Sequence, residues 1–234
     1  MLWPFLFALP VFCLLVGLGV WQTQRLAWKE GVIANIEARV HAAPRPLPPA
    51  SKWAALAAGD YDYAHVAATG RFDRREALIF RGSGAVAGEP SQPGYWVLAP
   101  FEIADGGILL VNRGFVPARL QNDPRRLASL PDGEVTIIGL LRAPEERNPF
   151  TPADVPEKGE WYTRDPAAIA TALKLEGAAP FSLDEDPHPV EKGLPAGGAT
   201  VFDIPNNHLS YAATWFGLAA ALVVVLGVFL WKRR

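Results

Sequence analysis

Uncharged apolar residues are concentrated at the two ends of the chain. One run extends from Leu2 to Trp21 and the other from Ala212 to Trp231, and neither contains a charged residue. At about 1.5 Å rise per residue, a run of about 20 residues reaches about 30 Å, which is the thickness of the hydrocarbon core of a bilayer. The pattern therefore predicts two transmembrane helices, over residues 2–21 and 208–231.

A cleaved signal peptide is the alternative for the first run. The run has no basic segment before it and is longer than the apolar part of such peptides, which is about 7–15 residues. It ends in Val20-Trp21-Gln22-Thr23, where a cleavage site would need small residues. An Arg- and Ser-rich transit peptide is also missing, so the sequence favours a bacterial inner membrane.

The basic residues beside the second span predict the orientation. Lys232-Arg233-Arg234 follow it directly, and the positive-inside rule places such a cluster in the cytoplasm. Both termini are then cytoplasmic and the central domain is periplasmic. Arg25 and Lys29 would lie on the outer side against this rule, but long domains are translocated largely regardless of charge.

Residues 22–51 predict a helical extension and a linker. Trp28, Val32 and Ile36 continue a helical stripe beyond the first span, and the proline-rich segment 43–49 stops it. A proline-rich sequence of this kind is typical of an extended linker. The external domain is predicted over residues 52–205.

Short runs with strand character, separated by turn residues, fill the external domain. The strongest hairpin signal joins 95–101 to 108–112, and one helix is predicted over 167–175, with Asp165 as its N-cap and Pro166 in its first turn. This composition predicts a β-rich (α+β) domain built as a small antiparallel barrel or sandwich. The predicted strands are 63–71, 77–81, 95–101, 108–112, 134–141, 160–164 and 180–184.

The sequence carries no recognised catalytic motif and is predicted not to be an enzyme. The glycine-rich segment 82–88 lacks nucleotide-loop spacing, and Asp184-Glu185-Asp186 is interpreted as a solvated turn. The single cysteine, Cys13, excludes an intramolecular disulfide. A net charge of −2 without a basic patch argues against nucleic acid as a partner.

Small residues spaced by four predict that the two spans pack closely. They are Cys13 and Gly17 in the first span, with Ala213, Gly217 and Ala221 in the second.

His208 stands at the outer mouth of the second span, with Tyr211 and Trp215 three and seven residues later on the same helix face. Two interpretations stay open. These side chains are typical of an interfacial anchor belt at the lipid headgroups. An ionisable residue at a membrane span is also a functional candidate, here as a ligand to a membrane-embedded cofactor.

Five motifs stand out along the chain. Two lie at the spans, from Gly19 to Lys29 and from Pro205 to Phe216. Three lie in the domain: Gly70-Arg71-Phe72-Asp73, Gly94-Tyr95-Trp96-Val97 and Val111-Asn112-Arg113-Gly114-Phe115-Val116-Pro117. In chain order the motifs resemble the N-terminal signature, the central blocks and the C-terminal signature of the surfeit-locus (Surf/Shy) family of cytochrome c oxidase assembly factors. Phe115 stands where the last central block commonly has Trp.

The resemblance implies an assembly factor that delivers or inserts haem a into subunit I of a haem–copper oxidase. The implied partners are oxidase subunit I, haem a synthase and the lipid bilayer. His208 is the implied ligand of the haem iron, Tyr211, Trp215 and Trp21 would line the cofactor, and Arg25 with Lys29 would meet its carboxylates. These two cations equally fit lipid headgroups. The alternative function is a membrane-anchored structural or interaction subunit of a respiratory complex, without haem-binding activity.

The predicted orientation can be tested with reporter fusions. A reporter that works only in the periplasm should be active when fused near Pro131 and silent when fused after Arg234, because the translocated domain carries the first site and the cytoplasmic terminus the second. The reverse pattern would contradict the orientation.

Overall fold

A computed structural model describes residues 3–84, 90–187, 194–197 and 205–232 of the 234-residue chain. The chain divides into two compact units. One contains Met1–Ala38 and Phe202–Arg234, and the other contains Arg39–Val201. Each unit is described by itself below.

Two long helices form the first unit. Helix α1 runs from Trp3 to Val40 and helix α5 from His208 to Trp231. Both are long and apolar enough to cross a membrane, over Leu6–Val40 and His208–Trp231. Helix α1 continues without a break past the first predicted span, as the apolar stripe indicated, and ends just before the proline-rich segment.

The two helices pack antiparallel through other small residues than those predicted. A Cβ atom on Gly19 would lie 2.6 Å from the ring of Phe216, whereas a Cβ atom on Gly17 or Gly217 would meet nothing within 4 Å. Ala212 and Ala219 are buried, while Cys13, Ala213 and Ala221 are exposed. The predicted contact residues are therefore wrong. A spacing of four places residues on one face but does not tell which face meets the other helix.

The second unit is rich in short strands, and a strand lies at each of the seven predicted places. Its elements are β1 (Arg45–Pro46), α2 (Ala58–Tyr61), β2 (His65–Phe72), β3 (Ala77–Gly84), β4 (Gln92–Ile103), β5 (Ile108–Pro117), α3 (Arg125–Ala128), β6 (Val135–Arg142), β7 (Glu160–Trp161), α4 (Pro166–Ala172) and β8 (Ala178–Glu185).

Five of these strands close into a small barrel in the order β2, β6, β8, β5, β4 and back to β2. Gly70–Phe72 pair with Phe101–Ile103 and close the ring. Strands β3 and β7 extend the sheet beyond the first half of β4. The domain is thus a barrel and not a sandwich. It is not wholly antiparallel, because β5 and β8 run parallel.

The proline-rich segment is extended, as predicted, and belongs to the barrel unit. Strand β1 pairs with Val66 and Ala67 of β2. Leu47 N then donates to Ala67 O at 3.0 Å. Because proline lacks an N–H, such a segment suits the edge of a sheet. The following 3₁₀ turn, Ala50–Ala55, buries Trp53, whose indole N–H donates to Pro48 O at 2.7 Å.

Large apolar side chains fill the barrel. Phe181 lies at the centre of this core, with Trp53 and Tyr61 at ring-centroid distances of 5.7 and 4.8 Å. A second core packs helix α4 against β3 and β4 through Ile169 and Ile79. The predicted cap of α4 is confirmed, since the Asp165 carboxylate accepts a hydrogen bond from Ala168 N at 3.0 Å.

Glycine at position 70 permits the closure of the barrel. A Cβ atom there would lie 2.0 Å from the backbone oxygen of Glu102, an atom that cannot move without breaking the pairing of β2 with β4. Gly82 in β3 offers a control, because a Cβ atom there meets nothing within 4 Å.

We expect Gly70→Ala to destabilise the barrel by about 1–3 kcal/mol, the usual cost of overpacking. Gly82→Ala should change stability little. Denaturant unfolding followed by tryptophan fluorescence measures both variants. Equal stability of the two would contradict the role given to Gly70.

His65 of β2 forms hydrogen bonds with two segments that are distant in sequence, at Ala42 and at Asp186. One ring nitrogen, Nδ1, lies 2.7 Å from Ala42 O, and Nε2 lies 2.8 Å from Asp186 Oδ2. Both neighbours are acceptors, so both nitrogens must donate and the ring carries a proton on each. Burial opposes the charge, but the hydrogen bonds to Ala42 and Asp186 outweigh it and raise the pKa of His65 above its ordinary value of 6.5.

Because the folded state raises the pKa of His65, folding stability should depend on pH in one direction. The stabilisation from His65 is complete below its unfolded pKa and is lost as the pH rises through the higher folded pKa. The stability difference between the native protein and His65→Gln should therefore be larger at about pH 6 than at about pH 9. Thermal unfolding at the two pH values measures it. A pH-independent difference would show that the protonated ring does not stabilise the fold.

Candidate functional site

A polar pair lies between the two apolar helices. The Nδ1 atom of His208, the first residue of α5, lies 2.8 Å from Oε1 of Gln22 on α1. Gln22 is only 8% exposed. A buried amide without a hydrogen-bond partner costs about 1–3 kcal/mol, so the pairing with His208 is favoured.

The hydrogen bond decides which nitrogen of His208 carries the proton. An amide oxygen only accepts, so Nδ1 donates and Nε2 keeps a lone pair. Among the described residues, Nε2 has no hydrogen-bond partner. A histidine whose second nitrogen is held by an acceptor in this way is oriented as a metal ligand typically is. The arrangement can therefore bind a metal ion or a haem iron through Nε2.

The other predicted site residues lie in different surroundings. Trp215 is half-buried on α5, two turns from His208, whereas Tyr211 and Trp21 are 55% and 53% exposed. The guanidinium of Arg25 is exposed and lies 4.0 Å from the ring centroid of Trp28 on the same helix. Of the predicted set, His208, Trp215 and Lys29 are partly buried, and the other three residues are exposed.

Sequence reasoning missed Gln22 as a member of the site. The residue follows an apolar run directly and lies 186 positions from its partner. A single uncharged polar residue at a span boundary resembles an ordinary interfacial residue. The available signal was its spacing along the helix, seven residues after Leu15 and four before Leu26, both of which are half-buried.

An apolar cavity lies farther along the same pair of helices. Its volume is about 220 Å³, and its lining consists of hydrocarbon side chains from both helices: Ala8, Leu9, Phe12, Leu222, Val223 and Leu226. A lining of this kind can accommodate a hydrocarbon chain and offers no group for catalysis.

A buried ion network in the barrel unit overturns one sequence interpretation. Asp184, interpreted as part of a solvated turn, is 2% exposed and lies in β8. Its carboxylate accepts hydrogen bonds from Arg164 at 3.0 Å, Arg142 at 3.1 Å and Asn112 at 3.0 Å. Its partners are distant in sequence, so the local run of acids gave no sign of them.

The network continues through Glu145, which accepts two hydrogen bonds from Arg81 at 2.7 and 2.9 Å. Burial would raise the pKa of Glu145, but Arg81 and Arg164 hold it below its ordinary value. These charges compensate one another and connect the strands β3, β6 and β8 with the segments around Glu145 and Arg164. The described residues contain no group of three or more potential metal ligands.

Comparison with known proteins identifies the family. The profile of the SURF1 family matches residues 9–220. The chain belongs to this family. It is 38% identical to surfeit locus protein 1 of Mus musculus over 88% of this chain and 68% of that protein. It is 37% identical to the Homo sapiens protein, over 88% and 70%. A SURF1-like protein of Caenorhabditis elegans is 32% identical over 93% and 70%.

Family membership confirms the resemblance that the sequence motifs indicated, and the structure shows where those motifs lie. The two terminal signatures supply Gln22 and His208, the partners of the polar pair. The three central blocks lie in β2, β4 and β5, which are adjacent in the barrel. Within the last block, Gly114 has φ +129°, and a Cβ atom there would lie 2.0 Å from Ala196 O. The central blocks thus include residues that allow close packing.

We expect the tautomer of His208 to be measurable by NMR. In the ¹⁵N-histidine-labelled full chain, the neutral ring of His208 should carry its proton at Nδ1 and be bare at Nε2. Gln22→Leu should shift the ring toward the Nε2–H form. A native His208 protonated at Nε2 would contradict the hydrogen bond to Gln22.

Proposed function

We propose that this protein is an assembly factor for a haem–copper oxidase that carries haem a and acts as a binding protein, not as an enzyme. The observation that carries the proposal is the Nε2 lone pair of His208, presented by the hydrogen bond to Gln22. Histidine is a common axial ligand of haem iron. Haem a is the cargo, and its iron would be held at Nε2.

A single histidine suits a carrier that has to release its cargo. His208 is the one histidine in the described part of the two helices, so a single imidazole would hold the haem there. A cargo held by one such ligand would be released more easily than a cargo held by two.

The surroundings of His208 fit the remaining parts of a haem. Trp215 on the same helix offers an aromatic surface for the macrocycle, and Trp21 and Tyr211 are exposed at the same end of the helix pair. Arg25 and Lys29 are the first two cations of α1 beyond Gln22 and would meet the two carboxylates. The apolar cavity between the helices would take a hydrocarbon substituent.

The proposed location and partners follow from this role. A carrier of haem a has to meet the enzyme that makes the cofactor and the subunit that receives it. We therefore propose haem a synthase and oxidase subunit I as partners, in a bacterial inner membrane with the barrel unit in the periplasm. Two helices of membrane-spanning length support the membrane location.

A structural subunit without haem is the second candidate, and one observation favours it. Trp21, Trp28 and Tyr211 are all more than half exposed, as expected of side chains that anchor helices among lipid headgroups. In that case His208 and Gln22 would serve only to hold the helices together.

Haem content of purified variants distinguishes the two candidates. In cells that make haem a, the native full chain should be purified with haem a, and His208→Ala should lose it while still inserting into the membrane. Gln22→Leu should bind haem a about 10–100-fold more weakly, since it removes the group that orients the ligand. Gln24→Leu is the matched control, because Gln24 is exposed and should leave binding unchanged.

The visible spectrum of each purified variant measures how much haem a it holds and whether the iron ligand has changed. A His208→Ala protein with as much haem a as the native protein, and with the same spectrum, would refute ligation and favour the structural subunit. Equal effects of Gln22→Leu and Gln24→Leu would refute the orienting role of Gln22.

A further inference from the structure

The outer part of the barrel sheet carries an aromatic cavity that the proposed haem site does not use. It has a volume of about 190 Å³ and lies where β7 joins β3 and β4. Its lining consists of aromatic rings and one acid: Phe80, Tyr95, Trp161, Tyr162 and Glu160.

Strand pairing holds the rings in fixed positions. Phe80 and Tyr95 are direct cross-strand partners, and their rings meet edge to face at a centroid distance of 5.7 Å. Tyr162 meets Phe80 in the same manner at 6.1 Å. The rings of Phe80, Tyr95 and Tyr162 are half-buried, so part of each remains accessible. Several aromatic rings around one cavity are the arrangement that binds organic cations.

Glu160 adds a negative charge to the same cavity. Among the side chains that the structure describes, its carboxylate has neither an ion pair nor a hydrogen bond. Trp161 packs with Ile79 in the second core and lines the inner side of the cavity, together with its two neighbours Glu160 and Tyr162. The phenolic oxygens of Tyr95 and Tyr162 add further acceptors. The cavity therefore attracts a cation that can also donate hydrogen bonds.

We propose that this cavity binds an arginine side chain of a partner protein. The rings suit any organic cation, but a carboxylate accepts hydrogen bonds only from a cation with N–H groups. A planar guanidinium satisfies both, because it stacks on rings and pairs with carboxylates. The chain itself uses this contact, with Arg81 lying 3.7 Å from the ring centroid of Trp96 and Arg142 lying 4.3 Å from that of Tyr63.

The site can be tested on the full chain labelled with 3-fluorotyrosine, in micelles without choline lipids. The probes are Nα-acetyl-arginine methylamide, its neutral citrulline analogue and tetramethylammonium. The arginine probe should shift the ¹⁹F signals of Tyr95 and Tyr162 saturably and bind at least about fivefold more tightly than either other probe. The two signals are assigned with Tyr→Phe variants.

Two variants decide the role of the carboxylate. Glu160→Gln should weaken arginine binding about fivefold, whereas Glu157→Gln, an exposed acid in the preceding turn, should not change it. An unchanged ¹⁹F spectrum without probe shows that each variant is folded. Equal binding of citrulline, no effect of Glu160→Gln, or no saturable shift would overturn the proposal. Equal binding of tetramethylammonium would assign the cavity to a choline headgroup instead. None of these outcomes depends on haem.

Discussion

The hydrogen bond between His208 and Gln22 is the contact on which the helix pair and its chemistry depend. Gln22 is buried and His208 is half-buried, so an amide or imidazole N–H without a partner there would cost free energy. Sliding one helix by a turn would separate the two groups, so the bond selects one register. In that register Gly19 lies against Phe216, and the small residues Ala212 and Ala219 are buried. The same bond leaves Nε2 of His208 as a bare nitrogen.

The barrel unit buries charged side chains as well as apolar ones. Asp184, Arg164 and Arg142 compensate one another at its wall, and Glu145 extends the network to Arg81. Breaking such a set leaves an uncompensated buried charge, which costs several kcal/mol. The network therefore makes the strand arrangement specific, and the closure at Gly70 makes it a ring.

Much of the fold could be predicted from local patterns, and the errors share one cause. Span length, strand alternation and the Asp165 cap are properties of neighbouring residues, and they located the helices and strands. The contacts between Gly19 and Phe216, and between Asp184 and Arg142, join residues far apart in sequence, and local spacing cannot rank such pairs. For the same reason, the sequence predicted only one of the two residues of the polar pair. His208 is conspicuous at the start of a span, but only its packing against α1 makes Gln22 its partner.

The central claim is that Nε2 of His208 binds the iron of haem a. The most direct measurement is electron–nuclear double resonance of the ferric, haem-loaded full chain labelled with ¹⁵N-histidine. We expect coupling of the iron to one histidine ¹⁵N nucleus, which is replaced by a ¹⁴N coupling in the unlabelled chain and is lost when His208 is replaced. Coupling that persists in the His208 variant, or haem-loaded native protein without any histidine coupling, would contradict the account.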